Sequence, residues 1–186
     1  SSPGGMRSCS TRTLTRWISR VNSGGNGSRT TKGSTSSMNR APSLINGSSR
    51  VNIDNSSTGV SPGDPVVEVN ANYILYGINA STGTSFTVYN KAGTKLSGPT
   101  AYKSLAPAGD PCATSVSDPI IHYDRLANRW FMLEMGGTSS ANRLCVYVSK
   151  TDNPVSGGWW FYGFSTPAVP DYPHCSVWPN AYVCTT

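Results

Sequence analysis

Charge is scarce in this chain: Asp, Glu, Lys and Arg together make up 13% of its 186 residues, about half the share usual in globular domains. That scarcity argues against a coiled coil or a salt-bridged helical bundle. No apolar run approaches the roughly 18 residues that a membrane helix needs, so no membrane span is expected. No hydrophobic signal segment follows the first residue, which leaves a mature product or a fragment of a longer precursor as the expectation. Only His122 and His174 supply imidazole, and the five cysteines contain no C-x-x-C pair. Zinc spacing is therefore missing, as are the alternating acids of a calcium loop. Phosphate-binding glycine loops and Ser-His-Asp patterns are also lacking, so neither a cofactor nor a metal is expected.

Acidic residues are almost missing from positions 1–60, where Asp54 alone faces Arg7, Arg12, Arg16, Arg20, Arg29, Lys32, Arg40 and Arg50. The net charge of +6 belongs to this segment, because the seven remaining bases face eight acids. Its bases stand singly among Ser, Thr and Gly, without interleaved aromatics, which fits a solvated spacer and not a nucleic-acid surface. Such a composition buries too little apolar surface to offset ordering. One island, Leu14, Trp17, Ile18 and Val21 behind Thr13, has the spacing of a short helix over 13–22. The alternative is an arm that threads along another surface in extended form.

Glycine (19) and proline (13) are plentiful, and beyond residue 60 the pattern becomes that of strands. The runs in DPIIHYD, RWFMLEM, RLCVYVSK and WWFYGFS, between Asp118 and Ser165, read as four antiparallel strands joined by turns. The unit recurs. Asp64-Pro65, Asp118-Pro119 and Asp171-Tyr172-Pro173 follow one another at a nearly constant interval. Behind each opening comes an aromatic-led strand, at Tyr73, Trp130 and Tyr182. The segment Asn90–Lys95 reads as a hairpin turn with Gly93, and Leu96–Leu105 as the first unit's fourth strand. A nearly fixed period in the size range of one propeller blade predicts an all-β, propeller-like array of four-stranded antiparallel blades. About two and a half blades are expected, at 64–110, 118–165 and 171–186, behind an irregular arm at 1–60. A β-sandwich with similar strand spacing is the competing fold.

Cys112 precedes the first strand of the central unit and Cys145 lies in its third, while Cys175 and Cys184 flank a hairpin turn at Trp178-Pro179-Asn180. All four are disulfide candidates, with Cys9 left to another chain or to a free thiol. Disulfides imply an oxidising compartment. The sequons at Asn26, Asn46, Asn55 and Asn79 also point to secretion and glycans.

The wording of GVSPGD (Gly59–Asp64), FTVYNKAGTKLSGPT (Phe86–Thr100), SDPIIHYDRLANRW (Ser117–Trp130), LCVYVSKTDNPVSGGWWFYGFS (Leu144–Ser165) and PDYPHCSVWPNAYVCTT (Pro170–Thr186) resembles large secreted β-propeller proteins of the sialidase-like or uncharacterised extracellular kind. The resemblance covers about residues 59–186. It implies a secreted multi-blade propeller whose full domain is longer than this chain.

A sialidase-like enzyme gathers arginines, a tyrosine–glutamate pair and an acid/base aspartate. Arg125, Arg129, Arg143, Glu134 and Asp118 are the right residue types. The Arg-Ile-Pro motif is missing, however, and the family's Asp-box turn is matched only loosely by Ser149, Asp152, Gly158 and Trp159. Asp118, Asp124 and Asp171 recur as turn residues would, whereas paired catalytic acids are usually unique. No catalytic residue is assigned. Among the aromatics, Trp160 and Tyr162 are the candidates for stacking on a sugar, against a prevailing role in packing. The expected function is a secreted, glycosylated structural or adhesion module in an extracellular assembly or filament, self-associating or part of a longer parent chain. The alternative is part of a glycan-degrading or carbohydrate-binding propeller.

Overall fold

A computed structural model of the chain describes residues 59–138 and 141–186. The helix read over 13–22, Cys9, and the sequons at Asn26, Asn46 and Asn55 lie outside those residues. The described chain is all-β. Strands β1 (Val66–Val69), β2 (Tyr73–Ala80), β3 (Gly83–Asn90) and β4 (Lys95–Ala101) form a first antiparallel sheet in chain order. Strands β5 (Ser115–Asp124), β6 (Arg129–Thr138), β7 (Ala141–Ser149) and β8 (Trp159–Ser165) form a second. A hairpin, β9 (His174–Trp178) and β10 (Ala181–Thr185), forms a third element.

Local chemistry explains the turns. Asn70 and Asp124 stand at equivalent positions of successive repeats, each at the end of a first strand, and each accepts two backbone N–H bonds on Oδ1. The donors are Asn72 and Tyr73 in one case, and Leu126 and Ala127 in the other. These side chains mimic a backbone turn and reverse the chain. Asn90 does the same for Ala92 and Thr94, with Gly93 at φ 83°, in the turn read from sequence. The expected strand Leu96–Leu105 stops at Ala101. Tyr102–Leu105 is instead a 3₁₀ turn, in which the Ser104 hydroxyl donates to Ala101 O at 2.7 Å and Tyr102 is buried.

The sheets stack face to face in chain order. Leu75, Phe86, Val88 and Tyr102 pack against Ile121, Trp130, Met132 and Tyr147 to form the core between the first and second sheets. On the opposite face of the second sheet, Phe131, Leu133, Leu144, Val146 and Val148 meet Cys175, Tyr182 and Cys184 of the hairpin. The second sheet is therefore apolar on both faces, as a layer between two layers must be. Tyr182 also donates to Asp124 Oδ2 at 2.8 Å, tying the hairpin to the end of β5. The stack does not close on itself.

Two disulfides, Cys112–Cys145 and Cys175–Cys184, join the four candidate cysteines. The first pins the 3₁₀ turn Pro111–Ala113 to the centre of β7. The second crosses the hairpin between directly paired residues.

Gly77 marks the closest approach in the first core. A Cβ there would lie 2.9 Å from the Tyr102 hydroxyl and 3.0 Å from Ile121 Cδ1 and Val66 Cγ2. Because Tyr102 is enclosed, the neighbours have little room to yield. Gly77→Ala should lower the unfolding free energy by about 1–3 kcal/mol, the usual range for overpacking. Urea titration checks this, and an unchanged midpoint would show that Tyr102 swings aside freely.

Candidate functional site

The three recurring Pro turns come together. Asp64-Pro65, Asp118-Pro119 and Tyr172-Pro173 line a cleft of about 220 Å³ with Val66 and Ile120. Asp64, Asp118 and Tyr172 all have positive φ, at 43°, 59° and 46°, although a residue before proline is normally held in the extended region. The three prolines are evenly spaced along the chain, and Tyr172, not Asp171, occupies the third position before them. Asp171 is one residue out of register with Asp64 and Asp118, and it is exposed.

The cause is a bulge. In β5, Ser117 pairs with Met135 and Ile120 with Leu133, so Asp118 and Pro119 together oppose Glu134. Proline cannot donate to the ladder, and a left-handed residue before it lets the strand bend out and rejoin. Around Asp64-Pro65 the same count holds, because Asn79 N–H donates to Gly63 O while Val66 pairs with Gly77. The Asp-Pro signal thus lies within a strand pairing in the second sheet, where sequence placed it at the strand's opening.

Asn79 links two of these turns. Its Nδ2 donates to Asp64 Oδ2 at 3.1 Å, and its Oδ1 accepts Asp118 N–H at 3.1 Å. Thr84 Oγ1 donates to the same Oδ1 at 3.5 Å. At 7% exposure the amide lies inside the fold and is engaged with both turns. The sequon pattern found the residue without its role.

Beside this cleft a shallower depression of about 370 Å³ is lined by Glu68, His122, His174 and their apolar strand neighbours. Among the described residues no group of three or more His, Cys, Asp or Glu is placed to hold a metal ion. The depression presents one carboxylate, Glu68, whose Oε1 accepts Val69 N–H at 2.8 Å, and two imidazoles.

The residue types of a sialidase-like site are dispersed. Arg125 is exposed. Arg129 donates to its neighbour Asn128 O at 3.0 Å, and Arg143 to Ser165 Oγ at 2.6 Å. Glu134 is fully buried in the first core, where Tyr147 donates to its Oε1 at 2.8 Å. The loop with Asp152 is structural: Asn153 Oδ1 accepts the N–H groups of Val155 and Ser156, and Asp152 O accepts Trp130 Nε1–H at 2.9 Å. Trp159 packs edge-on to Phe86, with centroids 5.7 Å apart. Of the two sugar-stacking candidates, Tyr162 packs against the second core, whereas Trp160 is 42% exposed.

Burial pushes the Glu134 carboxyl well above the usual carboxylate range. The Tyr147 bond, the nearby Thr84 hydroxyl and the Lys103 charge oppose this only in part. Burial likewise raises Tyr147 and Tyr102. Among the described residues Glu134 Oε2 and the Tyr102 hydroxyl have no hydrogen-bond partner, which favours the neutral acid. A carboxyl whose folded pKa is raised holds a proton that the unfolded chain releases. Its stabilising effect is complete below the ordinary carboxylate range and declines as pH rises towards the folded value, by at most about 1.4 kcal/mol per pH unit. Glu134→Gln should flatten that decline while keeping the shape. Urea titrations from pH 4 to 8 test it, and equal slopes for both proteins would rule out a buried neutral Glu134.

No protein family, curated protein or solved structure was found to match the chain.

Proposed function

We propose that the chain is a secreted, disulfide-bonded, propeller-type module that acts in adhesion or extracellular assembly. The observation that carries this reading is the repeat. Three evenly spaced Pro turns line one cleft: Asp118-Pro119 lies within β5, and the other two immediately precede β1 and β9, the first strands of the first sheet and of the hairpin. Sheet stacking about a shared set of inner strands is how propeller blades are arranged. The two disulfides support an oxidising compartment. Committing Glu134 to the core and Arg129 and Arg143 to local bonds favours a binding role over a sialidase-like one.

The test is fractionation of native material followed by intact mass measurement before and after reduction and deglycosylation. The expected product is extracellular, with Cys112, Cys145, Cys175 and Cys184 blocked to maleimide until reduced. Intracellular protein with reactive thiols at these positions would overturn the reading.

The exposure of Trp160 favours a second reading, carbohydrate binding, since an exposed indole stacks on a sugar face. Trp160→Ala should then abolish retention on a glycan panel while leaving thermal unfolding unchanged.

A further inference from the structure

The internal repeat provides a ruler for the two outer faces of the stack. Glu68, His122 and Ser176 stand at the same position of successive repeats and pair with Leu75, Phe131 and Val183, respectively. These three partners therefore occupy one position in β2, β6 and β10, on the face directed at the following sheet. Leu75 is buried against the second sheet and Phe131 against the hairpin, but Val183 is 40% exposed. Trp178, on the same face of the hairpin, is 66% exposed.

The opposite faces follow the same rule. Val67, Ile121 and Cys175 are likewise equivalent in the repeat, on the faces directed at the preceding sheet. Ile121 packs in the core with Leu75, and Cys175 packs with Phe131. Val67 is 63% exposed, with Val69 also exposed two residues along the same face of β1. Leu75 and Ile121 share one core as Phe131 and Cys175 share the next, and among the described residues the two halves left exposed are Val183 and Val67.

We propose that these halves meet between copies of the chain: the Val183–Trp178 face of one copy stacks on the Val67–Val69 face of a second. The two surfaces differ, so the contact is head-to-tail and generates a ring or an open filament according to whether the rotation closes. Sheet stacking of the kind already used twice within the chain sets the geometry. The open edge of β10 adds backbone groups that can pair with an incoming strand. This inference rests on the stacked-repeat part of the proposed function but not on secretion.

Sedimentation velocity of the oxidised chain across a concentration series tests it. The mass should rise from 19.7 kDa through its multiples. Val183→Asp and Val67→Asp should each weaken association at least tenfold, at unchanged melting temperature because both sites are exposed. An equimolar mixture of the two variants should recover 1:1 dimers and nothing larger, since it retains one intact face of each kind. Trp178→Ser should behave like Val183→Asp, as a milder change on the same face. A wild-type chain that stays monomeric throughout would overturn the proposal, leaving the face for strands of a longer parent chain. Failure of the mixture to form dimers would overturn it too, because a self-complementary contact, or one elsewhere, predicts no such rescue. An extracellular, oxidised monomer would defeat this inference alone; reduced intracellular protein that still associates would defeat only the assignment of compartment.

Discussion

Replacing Cys112 and Cys145 together by alanine should lower the unfolding free energy by about 4 kcal/mol, the chain-entropy value for a closed loop of this size. The bridge spans 33 residues, a stretch that includes β5, β6 and the turns on either side. Without it, the 3₁₀ turn Pro111–Ala113 is held mainly by local bonds, from Cys112 N–H to Asp110 Oδ1 and from Thr114 Oγ1 to Pro111 O. Both sulfurs lie in the first core, so the alanines also leave a void. Cys175 and Cys184 are 9 residues apart and already paired across the hairpin. Their removal should lower stability by about 2.5 kcal/mol by the same relation. Equilibrium urea unfolding of the two double variants, each with its other bridge intact, measures the order. A loss below about 1 kcal/mol for the longer loop would mean that the unfolded chain is already constrained there.

Trp130→Ala should lower stability by about 3–5 kcal/mol, as expected for truncating a buried aromatic side chain. Trp130 is 0% exposed and packs on Tyr123 with ring centroids 4.8 Å apart. Its Nε1–H donates to Asp152 O at 2.9 Å, and its backbone N–H to Ser149 Oγ at 2.8 Å. One side chain therefore fills the first core and anchors the loop between β7 and β8. Trp130→Phe keeps most of the ring area and loses only the Nε1 bond, so it should retain more than half of the stability lost by alanine. If both variants lose the same amount, the bond to the loop outweighs ring volume; if neither unfolds more easily, the first core does not depend on Trp130. Combining Trp130→Ala with Ser149→Ala should be less than additive, because both changes loosen one loop.

The elements legible in the sequence were those whose signals are local. Alternation of β-branched and aromatic residues marks the strands of both four-stranded sheets, and only β4 ends earlier than its sequence suggests. Tyr102 accounts for that difference. Its apolar ring suits either a strand or a core turn, and only the enclosed space between two sheets selects the turn. Asp118-Pro119 is legible as a marker but not as a bulge, because a bulge is a relation between two strands and its partner is Glu134. Asn79 is visible only as a sequon. Its role depends on Asp64 before it and Asp118 well beyond it in the chain, and no local pattern encodes both.

The sequence by itself determined the all-β class and the period, and marked four cysteines as disulfide candidates, because strand alternation and turn chemistry are short-range properties; which cysteines pair was decided by the fold. Tertiary structure decided where each side chain was used. Glu134 and the three arginines have the chemistry of a site, yet within the second sheet Glu134 is buried in the core, while Arg125 is exposed and Arg129 and Arg143 bond to their neighbours. Three Pro turns have the chemistry of mere punctuation and are gathered at one cleft. Stacking fixes which face of each strand is covered, so the same position is core in Leu75, core again in Phe131 and solvent-exposed in Val183.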